Sequence, residues 1–333
     1  MIIDFSSHII PPDVGKILMK KGYYGPLDQD GSKWQFPYPP ENSDPHYRLK
    51  VMERFEIDMQ VLSPTSPILL GFEKEPKEAI RICKLSNDYI AKLTNKYPDK
   101  FVGCALIPLF DVESALDEVD RAIRELGFRC VTIATNQYGK GIDSAEYHPF
   151  YEKIAKYDVP VFLHPTHWES YPLVDMEYGW KCLQIFGWPF DTTQAVWRLI
   201  CSGTLKKFPT LKIVTHHLGG MFPYFVRRVT IGVVAQNLQK ILGESVESYF
   251  KQIYGDTALN GDSVASLMCG HAFFGPERML FGSDYPFGPP EEFIGENIRG
   301  IEAMLIPQSE KENILGRNAE KLLKLQVGLH FCC

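Results

Sequence analysis

Short apolar runs rich in β-branched and aromatic residues recur along the chain, and longer amphipathic segments lie between them. An apolar run of about four to eight residues is typical of a strand, whereas apolar positions spaced three and four apart are typical of a helix. The predicted strands are residues 2–8, 58–64, 101–108, 130–135, 160–165, 212–217, 253–259 and 279–286. The predicted helices include residues 75–96, 112–126, 147–157, 192–208 and 223–242. Strands that alternate with helices in this number favour an α/β fold, the closed parallel (β/α)8 TIM barrel.

A doubly wound open sheet would show the same alternation of strands and helices. Its phosphate-binding fingerprint, Gly-x-Gly-x-x-Gly directly after the first strand, is missing from this sequence. The helix predicted at residues 112–126 has local end signals, with Asp111 as a candidate N-cap and Gly127 as a candidate C-terminal stop. We therefore predict a single barrel domain over residues 1–325, followed by a short tail at residues 326–333.

Two connections are longer than the others, at residues 11–46 after the first strand and at residues 166–190 after the fifth. Loops of this length in a compact domain are usually functional or disordered. Their aromatic content argues against disorder. We expect both loops to fold over the barrel mouth and to shape a pocket there.

Composition and charge exclude several classes of protein. The 333 residues are 45% apolar and 23% charged, which is typical of a globular protein that buries a sizeable core. The net charge is −6 and no basic run is present, so we expect no nucleic acid partner. The N-terminus lacks a signal-peptide pattern and no apolar run is long enough to span a bilayer, so we expect no membrane partner. The eight cysteines are scattered, and Cys104 and Cys130 lie within apolar strand-like runs, which favours a reducing, cytoplasmic location.

Histidine or aspartate stands at the end of four predicted strands. A residue at the carboxyl end of a barrel strand points into the active-site mouth. A single strand-end histidine is more often structural, and Asp284 alone would be typical of a turn before Pro286. Imidazole and carboxylate groups that converge from several strands are instead the ligands that Zn²⁺ or a similar divalent ion requires. We predict that His8, His164 and Asp284 bind one divalent ion.

The sixth predicted strand ends in two adjacent histidines, His216 and His217. Because side chains alternate along a strand, one histidine should face the barrel mouth and the other the helix layer. We assign the functional role to His217, which comes directly before the break at Gly219 and Gly220. The predicted catalytic residues are therefore His217 and Asp284.

These segments together resemble the amidohydrolase-related family, in the branch that contains aminocarboxymuconate-semialdehyde decarboxylase and the resorcylate- and carboxyvanillate-type decarboxylases. The resemblance covers residues 2 to about 325, with the matching elements in the same order. The family's first strand reads Asp-x-His-x-His, and both histidines are metal ligands. Here the pattern starts at Asp4, so the second histidine is His8 and the first is replaced by Ser6.

The resemblance implies one metal ion held by His8, His164 and Asp284, with water or substrate completing the shell. Zn²⁺ is the expected ion. Because a serine hydroxyl is a poor ligand for zinc, the presence of Ser6 gives more weight to Mn²⁺ or Mg²⁺. The family pattern also places His217 beside the metal-bound water, where it moves a proton.

Three further residues are candidate substrate contacts. Arg228 matches an arginine that in relatives reaches the substrate carboxylate of the neighbouring subunit, which implies a homodimer. A solvated charge on a helix is the alternative for Arg228. His167 and Trp168, in the long loop after the fifth strand, are expected to contact the substrate, and a loop histidine bonded to backbone is the alternative for His167.

The resulting prediction is a metal-dependent decarboxylase of a small carboxylated aromatic or unsaturated acid. A single-metal hydrolase or hydratase is the first alternative, since a metal-activated water can also attack a carbonyl carbon. No lysine occurs in the predicted fourth strand, which disfavours a two-metal hydrolase bridged by a carboxylated lysine. The second alternative, prompted by Ser6, is a barrel that has lost catalysis and only binds a small molecule.

Overall fold

The computed structural model describes residues 1–22, 43–166, 183–259 and 261–325, and it contains the eight predicted strands in one sheet. We number them β1 to β8 in chain order: Ile3–His8, Met59–Ser63, Phe101–Leu106, Cys130–Ala134, Val161–His164, Ile213–Thr215, Ile253–Asp256 and Met279–Leu280. Each strand pairs in parallel with the next one along the chain. The predicted parallel barrel is confirmed.

Backbone hydrogen bonds between β1 and the segment after β8 bring the two edges of the sheet together. His8 N–H donates to the carbonyl oxygen of Tyr285 at 2.7 Å. In the opposite direction, Asp284 N–H donates to the carbonyl oxygen of Ser6 at 2.8 Å. The same bonds therefore hold the backbone of Asp284 directly beside β1.

Alternate side chains of the strands point into the barrel, and those nearer the amino ends of the strands form an apolar layer. Side chains of the helix Asn318–Leu323 pack against this layer, and we call the whole set the lower layer: Ile3, Phe5, Met59, Val61, Val102, Cys104, Cys130, Phe162, Val214, Leu280, Ala319, Leu322 and Leu323. The intervening strand residues, such as Ile133 and Leu163, face the helices and join the larger core. Cys104 and Cys130 are register partners inside the lower layer, as expected of cysteines that act as small hydrophobes.

Helices flank the barrel, and several carry proline in the first turn, where the missing N–H costs no hydrogen bond. The α-helices are Pro12–Lys20, Pro45–Arg54, Pro76–Lys96, Val112–Arg124, His148–Tyr157, Trp188–Cys201, Thr204–Lys207, Phe222–Ala235, Gln239–Leu242, Val246–Phe250, Val264–Phe274, Glu296–Glu302, Gln308–Glu312 and Asn318–Leu323. Short 3₁₀ or π turns span Ser66–Leu69, Ala145–Tyr147, Leu183–Gly187, His217–Gly219, Glu291–Gly295 and Asn313–Arg317. A two-stranded hairpin, Asn136–Gln137 with Lys140–Gly141, follows β4.

Two predicted helices are divided in the structure. The helix predicted at residues 192–208 is interrupted at Gly203, where φ is 78°. The helix predicted at residues 223–242 is interrupted at Asn237, where φ is 57°. Glycine and asparagine adopt this left-handed conformation most readily, and it breaks the run of helical hydrogen bonds.

The first long connection contains a helix that the sequence pattern did not predict. Pro12–Lys20 has Asp13 in its first turn and buries Val14 and Leu18. Its apolar face is only two turns long, so its periodicity was hidden in a segment rich in proline and glycine.

The remaining parts of both long loops, residues 23–42 and 167–182, lie outside the described residues, as does the predicted tail at residues 326–333. The expectation that these loops cover the mouth therefore stays a prediction. Across the described ranges, each helix is too short or too polar to pass through a lipid bilayer.

Candidate metal centre

Strand ends bring histidine and aspartate side chains together at the carboxyl end of the barrel. His8 ends β1, His164 ends β5, and Asp284 follows β8. The ring centroids of His8 and His164 are 4.9 Å apart, and His8 Nε2 lies 3.3 Å from Asp284 Oδ1. The three sequence-predicted ligands are thus neighbours, and all three are buried.

The structure places a third histidine, His216, beside this group. Its Nε2 lies 3.3 Å from Asp284 Oδ1, and its ring centroid is 5.6 Å from that of His8 and 5.4 Å from that of His164. One ring nitrogen from each of the three histidines lies within 4.8 Å of the other two. We call His8, His164, His216 and Asp284 the mouth cluster. Of the two adjacent histidines, the sequence pattern indicated a role for His217 and not for His216.

Strand alternation explains where His216 lies. Val214 belongs to the lower layer, so the residue two positions later also points into the barrel. His216 retains an extended backbone, with φ −74° and ψ 159°, whereas His217 has φ 54° and opens a 3₁₀ turn. Alternation therefore ends before His217, whose ring centroid lies 3.9 Å from that of His216. The expectation that only one of the two histidines faces the mouth is not met.

Each imidazole of the mouth cluster is held from outside through Nδ1. The outer contacts are His8 Nδ1 to Ser63 Oγ at 3.1 Å, His164 Nδ1 to the carbonyl oxygen of Pro165 at 2.7 Å, and His216 Nδ1 to Asp256 Oδ2 at 2.5 Å. When Nδ1–H donates outward, the lone pair of Nε2 is left to face the centre. Asp256 ends β7 and was not identified from the sequence, although it shares a strand face with Tyr254.

This donor set fits a bound cation. Asp284 Oδ1 lies 3.3 Å from both His8 Nε2 and His216 Nε2, and His8 Nε2 makes no aligned hydrogen bond within the described part of the chain. Two atoms that both present a lone pair repel each other at this separation. The arrangement is stable only when a proton or a metal ion lies between the two atoms. Donors about 2.0–2.2 Å from a tetrahedral Zn²⁺ lie about 3.3–3.5 Å from one another. The two distances to Asp284 Oδ1 therefore match the spacing that such an ion requires.

A buried polar network holds the segment that carries Asp284. Asp4 accepts hydrogen bonds from the Ser283 N–H at 2.9 Å and from the Ser283 hydroxyl at 2.6 Å. Gln60 donates to the same carboxylate at 3.0 Å, and buried Arg48 donates to Gln60 at 3.1 Å. The network steadies Asp284 in a left-handed conformation, with φ 60°. Arg48 and Gln60 carried no signal in the sequence, because neither stands at a strand end.

Burial and mutual proximity shift the pKa values of the cluster. Burial lowers the pKa of His8, and burial together with the neighbouring imidazoles holds the pKa of His164 well below 6.5. Burial acts on His216 in the same direction, but Asp256 and Asp284 outweigh it and raise the pKa of His216 to about 10. Burial alone would raise the pKa of Asp284, but contacts with His216 and His8 hold that pKa well below 3.8. At neutral pH and without a metal, His216 is therefore the charged imidazole.

His217 lies at the rim of the mouth cluster. Its ring is stacked on Trp188 with centroids 6.1 Å apart, and its Nδ1 is buried without a hydrogen bond to any residue that the structure describes. Burial and the neighbouring charge of His216 lower the pKa of His217 to about 3. His217 is therefore a neutral imidazole at pH 7, with one ring nitrogen within 4.8 Å of donors on His216 and Asp284.

Ser6 lies on β1 next to His216. Its hydroxyl oxygen is 3.3 Å from His216 Nδ1, and its side chain is fully buried. A Cβ on Gly282 would lie 2.7 Å from the Cβ of Ser6, so β1 and the segment after β8 approach too closely for any other residue at position 282. Ser6 therefore borders the mouth cluster on the side of the outer nitrogen of His216.

The predicted substrate contacts do not belong to the mouth cluster. Arg228 is exposed on the helix Phe222–Ala235. His167 and Trp168 lie outside the described residues. Their roles in substrate binding stay predictions.

Comparison with known proteins identifies the family. The model of the amidohydrolase family, Amidohydro_2, matches residues 3–325. The chain belongs to this amidohydrolase family. The resemblance inferred from the strand-end motifs is confirmed.

Two proteins named as decarboxylases are similar in sequence to this chain over nearly its full length. The 2-amino-3-carboxymuconate-6-semialdehyde decarboxylase of Dictyostelium discoideum is 29% identical over 97% of this chain and 91% of its own length. The 6-methylsalicylic acid decarboxylase of Penicillium expansum is 28% identical over 94% of this chain and 93% of its own length. Both of these relatives are thus carboxy-lyases by name.

A solved structure has the same fold. The 5-carboxyvanillate decarboxylase of Novosphingobium aromaticivorans, solved with bound manganese, superimposes with a TM-score of 0.84 at 22% identity. The alignment covers 98% of this chain and 97% of that protein. The two proteins therefore share the barrel fold.

Proposed function

We propose that this protein is a decarboxylase that uses one divalent metal ion and acts on a small carboxylated aromatic or unsaturated acid. The observation that carries the proposal is that His8 lies beside both His164 and Asp284 in the barrel mouth. Both relatives described above are decarboxylases, one of a muconate derivative and one of a salicylic acid, which supports carboxy-lyase chemistry at this site.

A divalent ion, when bound, supplies a positive charge and a Lewis acid that hold the substrate carboxylate and a neighbouring oxygen. His8 and His164 would bind the ion through ring nitrogens, and Asp284 through a carboxylate oxygen. Nitrogen donors favour Zn²⁺, and manganese is present in the structural neighbour. We therefore propose Zn²⁺ first and Mn²⁺ second, with Mg²⁺ last because it prefers oxygen ligands.

The carbon that loses CO₂ must gain a proton, and we propose that His217 supplies it. His217, with a ring nitrogen within 4.8 Å of atoms on His216 and Asp284, would relay to that carbon a proton that comes from water or from a substrate hydroxyl. Acid–base assistance of this kind is typically worth about 10²–10⁴-fold in rate. Asp284 is the alternative carrier of the proton, although contacts with His216 and His8 favour its ionised form.

Hydrolysis or hydration by the same groups is the first alternative. The strand β4, Cys130–Ala134, contains no lysine, which is against the two-metal hydrolases that bridge their ions through a carboxylated lysine. A single-metal hydrolase or hydratase would use the same ligands on a different substrate. A binding protein without catalysis is the second alternative.

We also propose that the active form is a homodimer. Around Arg228, the helix Phe222–Ala235 exposes Tyr224, Ile231 and Val234 at 80%, 52% and 64% of their surface. Large apolar side chains exposed together mark an interaction surface. Arg228 would then reach the carboxylate of a substrate bound in the partner subunit.

Two further expectations complete the proposal. His167 and Trp168, in the loop after β5, would contact the substrate within the same subunit. The buried thiols of Cys83, Cys104 and Cys130 are free in the structure, which is compatible with the expected reducing, cytoplasmic location.

The experiment measures CO₂ release from a panel of hydroxybenzoates and muconate-type acids. Protein freed of metal by a chelator is assayed alone and with Zn²⁺, Mn²⁺ or Mg²⁺ added. We expect turnover only with an added ion, one ion bound per chain, and no turnover for Asp284→Asn, whose circular dichroism spectrum should match the wild type.

The alternatives give different results in the same assay. Metal-dependent loss of an ester, amide or lactone without CO₂ release would replace the proposal with a hydrolase. Binding of the panel acids without turnover and without any bound ion would favour a binding barrel. Equal activity of Asp284→Asn and the wild type would refute the site itself.

A further inference from the structure

We infer that His216 is a fourth protein ligand of this ion and that it compensates for a serine at position 6. This inference rests on the proposed function, because it concerns the coordination of the same metal. It differs from that proposal in assigning an additional nitrogen ligand that the strand-end motifs did not indicate.

The first support is the direction of the His216 side chain. The extended backbone of His216 continues β6, and Val214, two residues earlier, is buried in the lower layer. The His216 ring lies next to Phe162, with centroids 5.4 Å apart, and its centroid is 5.6 Å from that of His8 and 5.4 Å from that of His164. Its position is therefore inside the barrel and not in the helix layer.

The second support is the spacing of the donors. His216 Nε2 and His8 Nε2 lie at the same distance, 3.3 Å, from Asp284 Oδ1. His164 contributes a ring nitrogen within 4.8 Å of those on the other two histidines. Three imidazoles and one carboxylate provide four donor atoms, the number that a tetrahedral Zn²⁺ site holds. A substrate oxygen would then bind as a fifth ligand, which zinc accepts during catalysis.

The third support is the way His216 is anchored. Its Nδ1 lies 2.5 Å from Asp256 Oδ2, and Asp256 is fully buried at the end of β7. Histidines that bind metals generally donate their outer N–H to a carboxylate or a carbonyl group, which orients the ring and strengthens the inner nitrogen as a donor. His216 has this arrangement with a carboxylate, as His164 has it with a carbonyl group.

The fourth support is the relation between positions 6 and 216. The Ser6 hydroxyl is 3.3 Å from His216 Nδ1, so both side chains border the same small volume. A serine hydroxyl is a weak ligand, and its small size leaves room for the imidazole of His216. An imidazole at position 6 would compete for this volume. In a His216→Ala protein, an imidazole at position 6 would therefore have room to enter the mouth cluster.

The alternative role for His216 is a structural ion pair. In the absence of a metal, a charged His216 between Asp256 and Asp284 would hold the ends of β6, β7 and the segment after β8 together. Such a role predicts a loss of stability when His216 is removed, but it predicts no loss of metal affinity.

The experiment is calorimetric titration of metal-free, full-length protein with Zn²⁺ and with Mn²⁺. We expect His216→Ala to lower the Zn²⁺ affinity by more than the roughly 10–100-fold that loss of an outer-shell partner causes. The double variant Ser6→His with His216→Ala should regain at least about tenfold of that loss. His148→Ala, which removes a histidine bonded to Lys207 outside the cluster, should bind as the wild type does.

A spectroscopic measurement on the wild type covers the case in which His216→Ala does not fold. Cu²⁺ bound to ¹⁵N-histidine-labelled protein reports its nitrogen ligands by electron paramagnetic resonance. Three coupled imidazole nitrogens are expected from His8, His164 and His216. Two would overturn the assignment of His216 as a ligand.

The outcomes separate this inference from the proposed function. A wild type that binds no ion would defeat both. A wild type that binds one ion, with affinity lost in His164→Ala and unchanged in His216→Ala, would overturn the inference alone. If His216→Ala folds and the added Ser6→His substitution does not restore metal affinity, the inference that His216 compensates for Ser6 is wrong.

Discussion

The interior of the barrel has an apolar end and a polar end, and the same strands build both. In β5, Phe162 belongs to the lower layer and His164, two residues later, to the mouth cluster. In β6, Val214 and His216 are divided in the same way. The ring of Phe162 lies 5.4 Å from that of His216, so it forms the boundary between the two ends.

The difference shows how a barrel separates stability from chemistry. Apolar side chains near the amino ends of the strands gain free energy by burial, without any need for partners. Imidazoles and carboxylates near the carboxyl ends lose hydration and require bonded partners or an ion. We therefore expect substitutions in the lower layer to change mainly stability, and substitutions in the mouth cluster to change mainly metal binding and turnover.

The largest effect should follow from His164→Ala. Loss of a ligand removes charge stabilisation worth several kcal/mol, so CO₂ release should fall by about 10³-fold or more. The free energy of unfolding of metal-free protein should fall by only about 1 kcal/mol, since the variant loses the hydrogen bond to Pro165. Activity assays and urea unfolding measure the two quantities. A decrease of several kcal/mol in the free energy of unfolding with unchanged turnover would contradict the proposal that the mouth cluster serves catalysis and not stability.

The converse variant is Phe5→Ala in the lower layer. Phe5 is fully buried against Phe162, with ring centroids 5.7 Å apart. Truncation should cost about 3–5 kcal/mol in the free energy of unfolding, because it leaves a cavity in the core. Metal affinity should change by less than about tenfold, since no donor is removed. A larger loss of affinity would show that the two ends are coupled.

An intermediate effect is expected from pH, through Asp4. Burial, only partly offset by hydrogen bonds from Ser283 and Gln60, raises the pKa of Asp4 from 3.8 to about 6. Because the folded pKa is raised, this contribution to stability is fully present below pH 3.8 and is lost as pH rises through about 6. The resulting decrease in the free energy of unfolding is on the order of 3 kcal/mol.

Urea unfolding of metal-free protein between pH 4 and pH 7 tests this value. The side chain of Asp4→Asn cannot titrate. The free energy of unfolding of this variant, relative to that of the wild type, should therefore rise by about 3 kcal/mol between pH 4 and pH 7. Asp13→Asn is the control, because Asp13 is exposed and Lys16 lowers its pKa. A constant difference between Asp4→Asn and the wild type would show that Asp4 does not titrate in this range.

The smallest effect is expected from Asp256→Asn. If His216 is a ligand, loss of the carboxylate on its Nδ1 should lower metal affinity by about 10–100-fold. Asp143→Asn, which removes a carboxylate paired with Arg198 at 2.7 Å away from the cluster, should leave the affinity unchanged. Equal affinities for Asp256→Asn and Asp143→Asn would argue against a metal-bound His216.

Residues at clear strand ends were the easiest to find from the sequence. His8 and His164 follow apolar runs whose lengths predict strands, and the structure ends β1 and β5 at these residues. His216 was missed because the sixth strand was predicted to continue to residue 217, whereas it ends at Thr215. Asp256 was missed because it fell inside the predicted seventh strand, at residues 253–259, and did not look like a strand end.

By itself, the sequence determined the alternation of strands and helices, the parallel barrel and the strand ends that carry His8 and His164. These features follow from local periodicity, which a short window of residues contains. Only the tertiary structure decided that His216 shares a centre with Asp284, and that Gln60 and Ser283 both donate to Asp4 across 56 and 279 positions of the chain. Distances of this kind depend on how the strands close into a barrel, and local patterns carry no information about them.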